Sequence, residues 1–289
     1  MKKIGLLAGL IVLAVSSAQA QLNGVTAELR LDQDQYLPGE DLQLKVRITN
    51  RSGQQINLGA DNDWIVLSIA GENNLPCTKL GDMPVQDPFS LLTGEVGIRP
   101  LNPTPYFDFR RLGRYRVTAR IRLAQWGQEI TCRPVSFTVS TGVPLPNLAN
   151  LQFGVPQPAG VTNAPPEVRN YSLLKVSFLK EMKLYFRLTD NKGKIMRIFP
   201  IARMTSFSEP EAQIDRYNNL HVLSQGGARS FAYCVLAPDG RWVARQTYIY
   251  TGTRPVLRVS ADGQIFVAGG ARRLSTEDFP AAAPESAGP

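Results

Sequence analysis

The chain has 289 residues and a formal charge of +8, with three cysteines and a single histidine. This length is enough for about two domains. So few thiol and imidazole groups, none at metal-ligand spacing, exclude a zinc site, and we expect neither a metal nor a cofactor. The arginines from 110 to 122 recur mainly at alternate positions. That spacing is typical of the solvated face of a sheet and not of a nucleic-acid surface.

The first 20 residues have the pattern of a secretory signal peptide. Lys2 and Lys3 precede an apolar run from Ile4 to Val15, and small residues end the segment at Ala20. The run is shorter than the roughly 20 residues that cross a bilayer as a helix. We therefore predict cleavage after Ala20 and a periplasmic or extracellular location, with no transmembrane segment in the mature protein. Loss of Lys2 and Lys3 would lower the formal charge from +8 to +6.

Residues 21–142 are predicted to form a β-sandwich. Apolar and polar side chains alternate in segments 25–31 and 42–49, and again from Tyr115 to Leu123, with turns between these segments. This period of two, without a helical period, is typical of half-buried strands in two packed sheets.

Two motifs carry a resemblance to bacterial immunoglobulin-like domains. The first is Tyr36-Leu37-Pro38-Gly39-Glu40, which precedes the second strand, and the other is Gly113-x-Tyr115, which opens a late strand. The resemblance implies an immunoglobulin-like sandwich over this part of the chain. It also implies a role for Tyr115, because in that family the corresponding hydroxyl ties a loop to the sheet.

The segment 77–105 is predicted to be a long loop with a short strand near Glu95 to Arg99, and it is a candidate contact surface. The cysteines are distributed around it: Cys77 and Cys132 lie in the first half of the chain and Cys234 in the second. In an exported protein an odd number of cysteines allows one bridge. We predict a disulfide between Cys77 and Cys132, and a buried thiol at Cys234.

Residues 143–168 are predicted to be a Pro-rich linker. Six prolines lie between Thr141 and Pro166, and proline cannot donate the hydrogen bond that the interior of a sheet requires. Apolar side chains in the same segment, among them Phe153 and Val155, indicate that part of it packs on a neighbouring domain.

Residues 169–274 are predicted to form a second antiparallel β-domain made of repeated hairpins. Short apolar segments alternate with turns that need a positive φ, such as Asn191-Lys192-Gly193 and Asp239-Gly240. Residues 218–222 match 263–267 at an offset of 45, and a second pair of hairpins matches at an offset of 47. This period resembles that of β-propeller blades.

The domain is nevertheless too short for a closed propeller, which needs four or more blades. It can close as a two-sheet sandwich, as a partial propeller packed on the first domain, or by self-association. We favour the compact sandwich, because open sheet edges promote aggregation. Residues 275–289, which offer almost nothing to bury, are predicted to be a disordered tail.

Candidate functional residues are few. Tyr248, Tyr250 and Arg254 form a possible binding surface, since tyrosine and arginine are favoured in recognition, although the same run can equally be half core. His221 is the only histidine and alternates with Leu220 and Val222 in a predicted strand. That position indicates a role in packing, and no nucleophile elbow accompanies it.

These patterns favour a non-catalytic exported module that recognises a protein or an envelope polysaccharide. One alternative is a secreted glycan hydrolase that uses paired carboxylates from Glu209, Glu211 and Asp215. Another is a proteinase inhibitor that acts through the 77–105 loop.

Overall fold

The computed structural model describes residues 21–22, 24–155, 167–178 and 181–279. In this part of the chain the fold is all-β, as predicted, and all strand pairings but one are antiparallel. Four short 3-10 helices also occur here, at Glu72–Asn74, Thr104–Tyr106, Ala124–Trp126 and Pro146–Leu148. The predicted signal peptide lies outside the described residues.

The first half contains two sheets that face each other. Its strands are β1 (Gln21–Leu22), β2 (Val25–Leu31), β3 (Gln35–Tyr36), β4 (Leu44–Asn50), β5 (Ile56–Leu58), β6 (Ile65–Ala70), β7 (Phe89–Leu91), β8 (Val96–Leu101), β9 (Gly113–Leu123), β10 (Gln128–Thr131) and β11 (Val135–Val139). Sheet I has the order β1-β2-β4-β8. Sheet II has the order β10-β9-β11-β3, with β6 on the other edge of β9. β5 and β7 form a separate ribbon.

The alternation predicted from the sequence decides which side chains lie between sheets I and II. In β9 every second residue from Tyr115 to Leu123 is at most 5% exposed, and the residues between them are half-buried or exposed. Val25, Val46 and Ile48 of sheet I meet this face in one continuous core. Burial of one face of each strand against a second sheet is the arrangement of a β-sandwich.

The segment 77–105 is more ordered than a loop. It contains β7 and the predicted short strand, which is β8. Before β7, Val85 is buried, and its carbonyl accepts a hydrogen bond from the indole nitrogen of Trp64 at 2.6 Å. The core of the sandwich therefore holds the middle of this segment in place.

Tyr115 makes the bond that the immunoglobulin-like resemblance implies. Its hydroxyl donates to the backbone carbonyl of Arg111 at 2.9 Å, and its ring stacks on Phe137 with the ring centroids 5.3 Å apart. Gly113 precedes it with φ +133°, and a Cβ at Gly113 would lie 2.9 Å from the carboxylate of Glu72. The glycine is thus required for the turn into β9, and the tyrosine ties that turn to sheet II.

We expect Tyr115→Phe to lower the free energy of unfolding by about 1 kcal/mol, because the ring keeps its packing and only the hydrogen bond is lost. Urea unfolding of the purified variant measures the change. Tyr106→Phe is the matched control, since the hydroxyl of Tyr106 makes no hydrogen bond within the described residues. Equal stabilities of the two variants would contradict a stabilising role for the Tyr115 hydroxyl.

The second half contains sheets III and IV. Its strands are β12 (Val143–Pro144), β13 (Leu151–Val155), β14 (Glu167–Ser177), β15 (Met182–Asp190), β16 (Ile195–Met204), β17 (Glu211–Ile214), β18 (Leu220–Gln225), β19 (Ser230–Leu236), β20 (Trp242–Ile249), β21 (Val256–Val259), β22 (Ile265–Ala268) and β23 (Ala271–Arg273). Sheet III has the order β12-β14-β15-β16, with β13 also paired to β14. Sheet IV has the order β17-β18-β19-β20-β23. β21 and β22 form a separate hairpin.

Residues 143–155 differ from the predicted linker, because they form strands of sheet III. β13 pairs with β14 over five residues, and Phe153 is buried against Tyr171 with the ring centroids 4.2 Å apart. The prolines do not prevent this pairing, since β13 itself contains none and β12 has only Pro144. The Pro-rich remainder, 156–166, lies outside the described residues.

Four hairpins of the second half share one turn. In each, the backbone nitrogens at the first and fourth turn positions repeat the same two hydrogen bonds. The fourth position has positive φ in every case, namely +79° at Gly193, +64° at Asn218, +80° at Gly240 and +80° at Gly263. A three-residue loop that ends in a left-handed residue is a common hairpin connection. The predicted requirement for positive φ is confirmed.

The offset of 47 corresponds to two equivalent hairpins, β15–β16 and β19–β20. Each contains a bulge next to its turn, between Leu188 and Thr189 in the first and between Val235 and Leu236 in the second. These positions are themselves 47 residues apart. The repeated sequence therefore specifies the same kink in both sheets.

Sheets III and IV face each other across a core that includes Tyr171, Phe186, Leu220 and Cys234. This is the compact two-sheet arrangement that we favoured, because each sheet covers the inner face of the other. The outer faces are covered too: Leu37 packs on sheet III, and the β21–β22 hairpin packs on sheet IV.

The start of the predicted disordered tail is ordered. Asp278 is 7% exposed, and its carboxylate accepts hydrogen bonds from Arg272 and from the backbone nitrogen of Ser275. Phe279 exchanges two backbone hydrogen bonds with Arg245, at 2.7 and 3.0 Å. These polar contacts, which depend on the folded sheet IV, replace the apolar burial that the sequence lacks. Residues 280–289 lie outside the described residues.

Candidate functional site

The three residues of the predicted binding surface do not converge on one cavity. Tyr248 is half-buried and packs with the core under the β21–β22 hairpin. Arg254 donates to the hydroxyl of Ser208 at 2.9 Å and lies over the ring of Phe231. Tyr250, which is 39% exposed, follows β20 and is fixed through its backbone. Tyr248 and Arg254 therefore have structural contacts, and none of the three lines the cavities described below.

The predicted disulfide between Cys77 and Cys132 is not formed, and all three cysteines are free. The backbone nitrogen of Cys77 donates to Ile69 on the outer edge of β6, whereas that of Cys132 donates to Ala119 of β9. With β6 and β9 between them, the cysteines are about three strand spacings apart, roughly 14 Å. A disulfide needs Cα atoms within about 7 Å. Cys234 is buried between sheets III and IV, as predicted.

His221 belongs to a polar chain beneath the hairpin that covers sheet IV. Its Nδ1 lies 2.7 Å from the hydroxyl of Tyr233, and its Nε2 lies 3.1 Å from a carboxylate oxygen of Asp215. Asp215 also accepts two backbone hydrogen bonds within its own turn. Burial raises the pKa of Asp215, but the hydrogen bonds from Asn219 and His221 outweigh it, so the pKa lies below its usual value. These contacts thus fix the turn between β17 and β18 to the strands β18 and β19.

The three carboxylates of the alternative hydrolase hypothesis do not line one pocket. Glu211 accepts a hydrogen bond from the backbone nitrogen of Leu257 at 2.8 Å, which fixes the covering hairpin to β17. Glu209 and Glu211 line a pocket of about 330 Å³, but Asp215 lies outside it, at the other end of the strand. A pair for glycoside hydrolysis must flank one bond. Asp215 and Glu211 are each engaged in holding the fold.

A groove of about 720 Å³ lies where the Tyr36–Glu40 turn meets sheets III and IV. We name it the turn groove. One wall consists of residues of the first half, and the other consists of residues from β16, the β19–β20 turn and the start of β20, together with Phe279. The walls are formed by Asp32, Gln33, Gly39, Glu40, Asp41 and Gln43 on one side, and by Met196, Arg197, Ile198, Phe199, Pro200, Gly240, Arg241, Trp242 and Phe279 on the other.

The equivalent bulges in β16 and β20 shape the apolar wall of the turn groove. Phe199 and Trp242, from facing sheets, contact each other with the ring centroids 5.7 Å apart. Phe279 adds a ring that is 48% exposed. Gly240 passes so close to the side chain of Arg197 that a Cβ there would lie 2.8 Å from it. Ordered aromatic surface is therefore presented at a preformed concave site, which is typical of ligand pockets.

Glu40 is the buried polar residue of this groove. One of its carboxylate oxygens accepts from the backbone nitrogen of Leu37 at 2.8 Å, and the other accepts from the amide of Gln33 at 2.7 Å and from the hydroxyl of Tyr185 at 3.2 Å. Burial raises the pKa of Glu40 to about 7, although these hydrogen bonds oppose the rise. Strongly shifted groups in a cleft are frequent at functional sites, and ion-pair or hydrogen-bond networks of the fold produce them as well.

Charges of both signs surround the aromatic rings. Asp32 and Asp41 lie on the wall that carries Glu40, and Arg197 and Arg241 lie on the opposite wall. Tyr36 donates a short hydrogen bond to Asp32, and Asn102 donates to Asp41 at 3.0 Å. The side chain of Arg197 makes no hydrogen bond or ion pair within the described residues. The groove can thus combine ring stacking with directed hydrogen bonds.

The residues of the turn groove belong to three predicted segments that the sequence does not bring together, namely 21–142, 169–274 and 275–289. Tyr36-Leu37-Pro38-Gly39-Glu40 carries the immunoglobulin-like resemblance, and Trp242 follows the predicted turn at Asp239-Gly240. A usable signal was present at Glu40, because a carboxylate directly after a Pro-Gly turn can bond back to the turn's own backbone nitrogens. Its partner Tyr185 belongs to sheet III and lies 145 residues further along the chain.

Metal-binding clusters and membrane-spanning helices are both absent from the part of the chain that the structure describes. This part contains no group of three or more histidine, cysteine, aspartate or glutamate side chains that could hold a metal ion. It also contains no helix that is long and apolar enough to span a membrane.

Comparison with known proteins assigns no family. No family model matches the sequence, and no match was found among curated proteins. Among solved structures the chain is similar to Spo0M, a sporulation control protein from Bacillus subtilis, with 11% sequence identity and a TM-score of 0.31. The similarity covers 64% of this chain and 91% of the Spo0M chain. At this TM-score it supports no argument about fold or function.

Proposed function

We propose that this protein is an exported, non-catalytic binding module that holds a segment of an envelope polysaccharide in the turn groove. The observation that carries the proposal is the composition of the groove, in which aromatic rings are surrounded by carboxylates, two amides and guanidinium groups. Export is inferred from the signal-like pattern of residues 1–20. No step of a reaction is assigned to the groove.

A sugar chain matches this composition. Each sugar ring has apolar C–H faces and a rim of hydroxyls, and the C–H groups pack well on the negative face of an aromatic ring. Phe199, Trp242 and Phe279 supply such rings. The carboxylates of Asp32 and Asp41 accept hydrogen bonds from hydroxyls, and the guanidinium of Arg197 donates to them. A polysaccharide is thus favoured over a protein, whose binding sites centre on a fully buried apolar core.

Phe279→Ala tests the proposal with little risk to the fold, because the ring is 48% exposed. We expect it to weaken retention of the protein by the soluble polysaccharide fraction of the producing cell's envelope about tenfold, the scale of losing one aromatic contact. Affinity electrophoresis measures the retention. Phe207→Ala is the matched control, since Phe207 is 76% exposed and lies outside the groove.

Equal behaviour of the two variants would refute the turn groove as the site. A wild-type protein that ignores every polysaccharide fraction, but that crosslinks to one envelope protein through position 279, would replace the polysaccharide with the protein alternative.

A further inference from the structure

A second cavity lies on the inner face of sheet IV, beyond the part that sheet III covers. It has a volume of about 510 Å³, and we name it the arginine cleft. Three arginines from three strands enter it: Arg203 of β16, Arg245 of β20 and Arg273 of β23. Glu277 is the one acidic residue among the lining residues, so their formal charge is three minus one, or +2. Hydroxyl groups of Ser230, Thr247 and Ser275 complete the polar lining.

The three guanidinium groups differ in whether a carboxylate neutralises them. Arg245 contacts the carboxylate of Glu277 at 2.5 Å, and Arg203 contacts Glu181 at 3.1 Å. Arg273 is exposed and makes no side-chain hydrogen bond or ion pair within the described residues. One cation therefore faces the cleft without a counterion.

The contact between Glu277 and Arg245 indicates which kind of ligand the cleft can bind. The side chain of Glu277 is 56% exposed, whereas that of Arg245 is only 23% exposed, so an exposed carboxylate reaches into the cleft to a half-buried guanidinium. An arginine fork binds carboxylate, sulfate and phosphate oxygens in the same planar manner. An external oxyanion can take the position of Glu277, which then returns to solvent at little cost.

The arginine cleft and the turn groove adjoin the same short segment. Phe279 lines the groove, Ser275 and Glu277 line the cleft, and backbone hydrogen bonds join Phe279 to Arg245. Trp242 of the groove and Arg245 of the cleft belong to the same strand. They are three positions apart in β20, but the bulge between them makes this span equal to two positions of β19, which is about 7 Å along the strand.

We propose that the polysaccharide is anionic and that the arginine cleft binds its oxyanion substituents, while the turn groove binds its sugar rings. This inference rests on the proposed function. Arg245 and Arg273 provide the principal contacts and Arg203 a peripheral one. Glu277 acts as an internal competitor that occupies Arg245 in the absence of ligand.

The test uses two probes with the same backbone, a sulfated dextran oligosaccharide and unsulfated dextran of the same length, with binding measured by calorimetry on the purified protein. We expect the sulfated probe to bind at least about tenfold more tightly, and the double variant Arg203→Gln/Arg273→Gln to lose about tenfold of that affinity. The control Arg216→Gln/Arg258→Gln removes the same charge from exposed positions outside the cleft and should change binding less than about twofold. Glu277→Gln should strengthen it several-fold.

The inference is overturned if both double variants lose affinity equally, or if the protein does not prefer the sulfated probe. The Phe279→Ala variant distinguishes failure of the anion site from failure of the proposed function. If that variant weakens both probes while the cleft variant weakens neither, the groove is correct and the anion site is wrong. If only the cleft variant weakens binding, the anion site is correct and the groove is not the sugar site. If neither probe binds, both are rejected.

Discussion

Raising the pH from about 5 to 8 is expected to lower the free energy of unfolding through one residue, Glu40. The pKa of its carboxyl is about 7 in the folded protein, against 4.5 for an unperturbed glutamate, so the folded state binds the proton more tightly. The stabilisation is complete below pH 4.5 and is lost as the pH rises through 7. This pKa difference corresponds to about 3 kcal/mol. The physical reason is burial of the charge between the turn and sheet III.

The groups around Glu40 do not compensate its charge. Tyr185 approaches it from sheet III, Gln33 and the backbone nitrogen of Leu37 approach from its own turn, and the nearby acid is Asp32. The hydrogen bonds lower the pKa less than burial raises it. Proximity to a second acid favours the neutral form further.

Urea unfolding between pH 5 and pH 8 tests this prediction in the wild type and in Glu40→Gln. The amide retains the shape and the acceptor for the Leu37 nitrogen, so the variant should lack this part of the pH dependence. Asp41→Asn is the control, because Asp41 is adjacent in sequence and exposed. An unchanged pH profile in Glu40→Gln would contradict the prediction, because it would show that the Glu40 carboxyl is already ionised at pH 5 in the folded protein.

Tyr171→Ala is expected to lower the free energy of unfolding by about 4 kcal/mol, the scale for removal of a large aromatic side chain from a core. Tyr171 is fully buried. Its ring stacks on Phe153 of β13 and lies 5.5 Å from Phe186 of β15. Its hydroxyl donates to the carbonyl of Asn218, in the turn between β17 and β18, at 2.8 Å. One residue thus joins the edge strand, the centre of sheet III and a turn of sheet IV.

Tyr171→Phe separates the ring from the hydroxyl and should cost only about 1 kcal/mol. Tyr217→Ala is the control, since Tyr217 is 65% exposed and an exposed position should change stability by less than about 0.5 kcal/mol. Chemical denaturation followed by tryptophan fluorescence measures all three variants. If Tyr171→Ala and Tyr171→Phe cost the same, stacking on Phe153 does not stabilise sheet III.

Much of the fold could be predicted because it depends on neighbours in the sequence. The repeated hairpins of the second half could be predicted, since apolar runs there are separated by turns such as Asn191-Lys192-Gly193 and Asp239-Gly240. The bond from Tyr115 to Arg111 spans four residues and follows from a short motif. The strand β13 was missed because its partner β14 begins 12 residues after it ends, beyond a Pro-rich segment that obscures the pairing.

The candidate sites were less accessible to sequence reasoning. Tyr248 and Arg254 were chosen for their residue types, yet the β21–β22 hairpin folds over the face on which Tyr248 lies and makes that residue half core. Cys77 and Cys132 were paired because they share one half of the chain, and the intervening strands β6 and β9 keep them apart. In both cases the deciding contact comes from a strand that the local pattern does not identify as a neighbour.

The sequence by itself determined the all-β class, the positive-φ turns, the buried face of strands such as β9 and the equivalence of the two hairpins 47 residues apart. Each of these follows from backbone preferences and from alternation along a few residues. Only the tertiary structure decided that sheets III and IV close on each other and that Glu40 is buried beneath Tyr185. It also placed Phe279 beside Trp242 and gathered three arginines around Glu277. These features join residues far apart in the chain, and their free energy comes from desolvation and packing that exist only in the folded state.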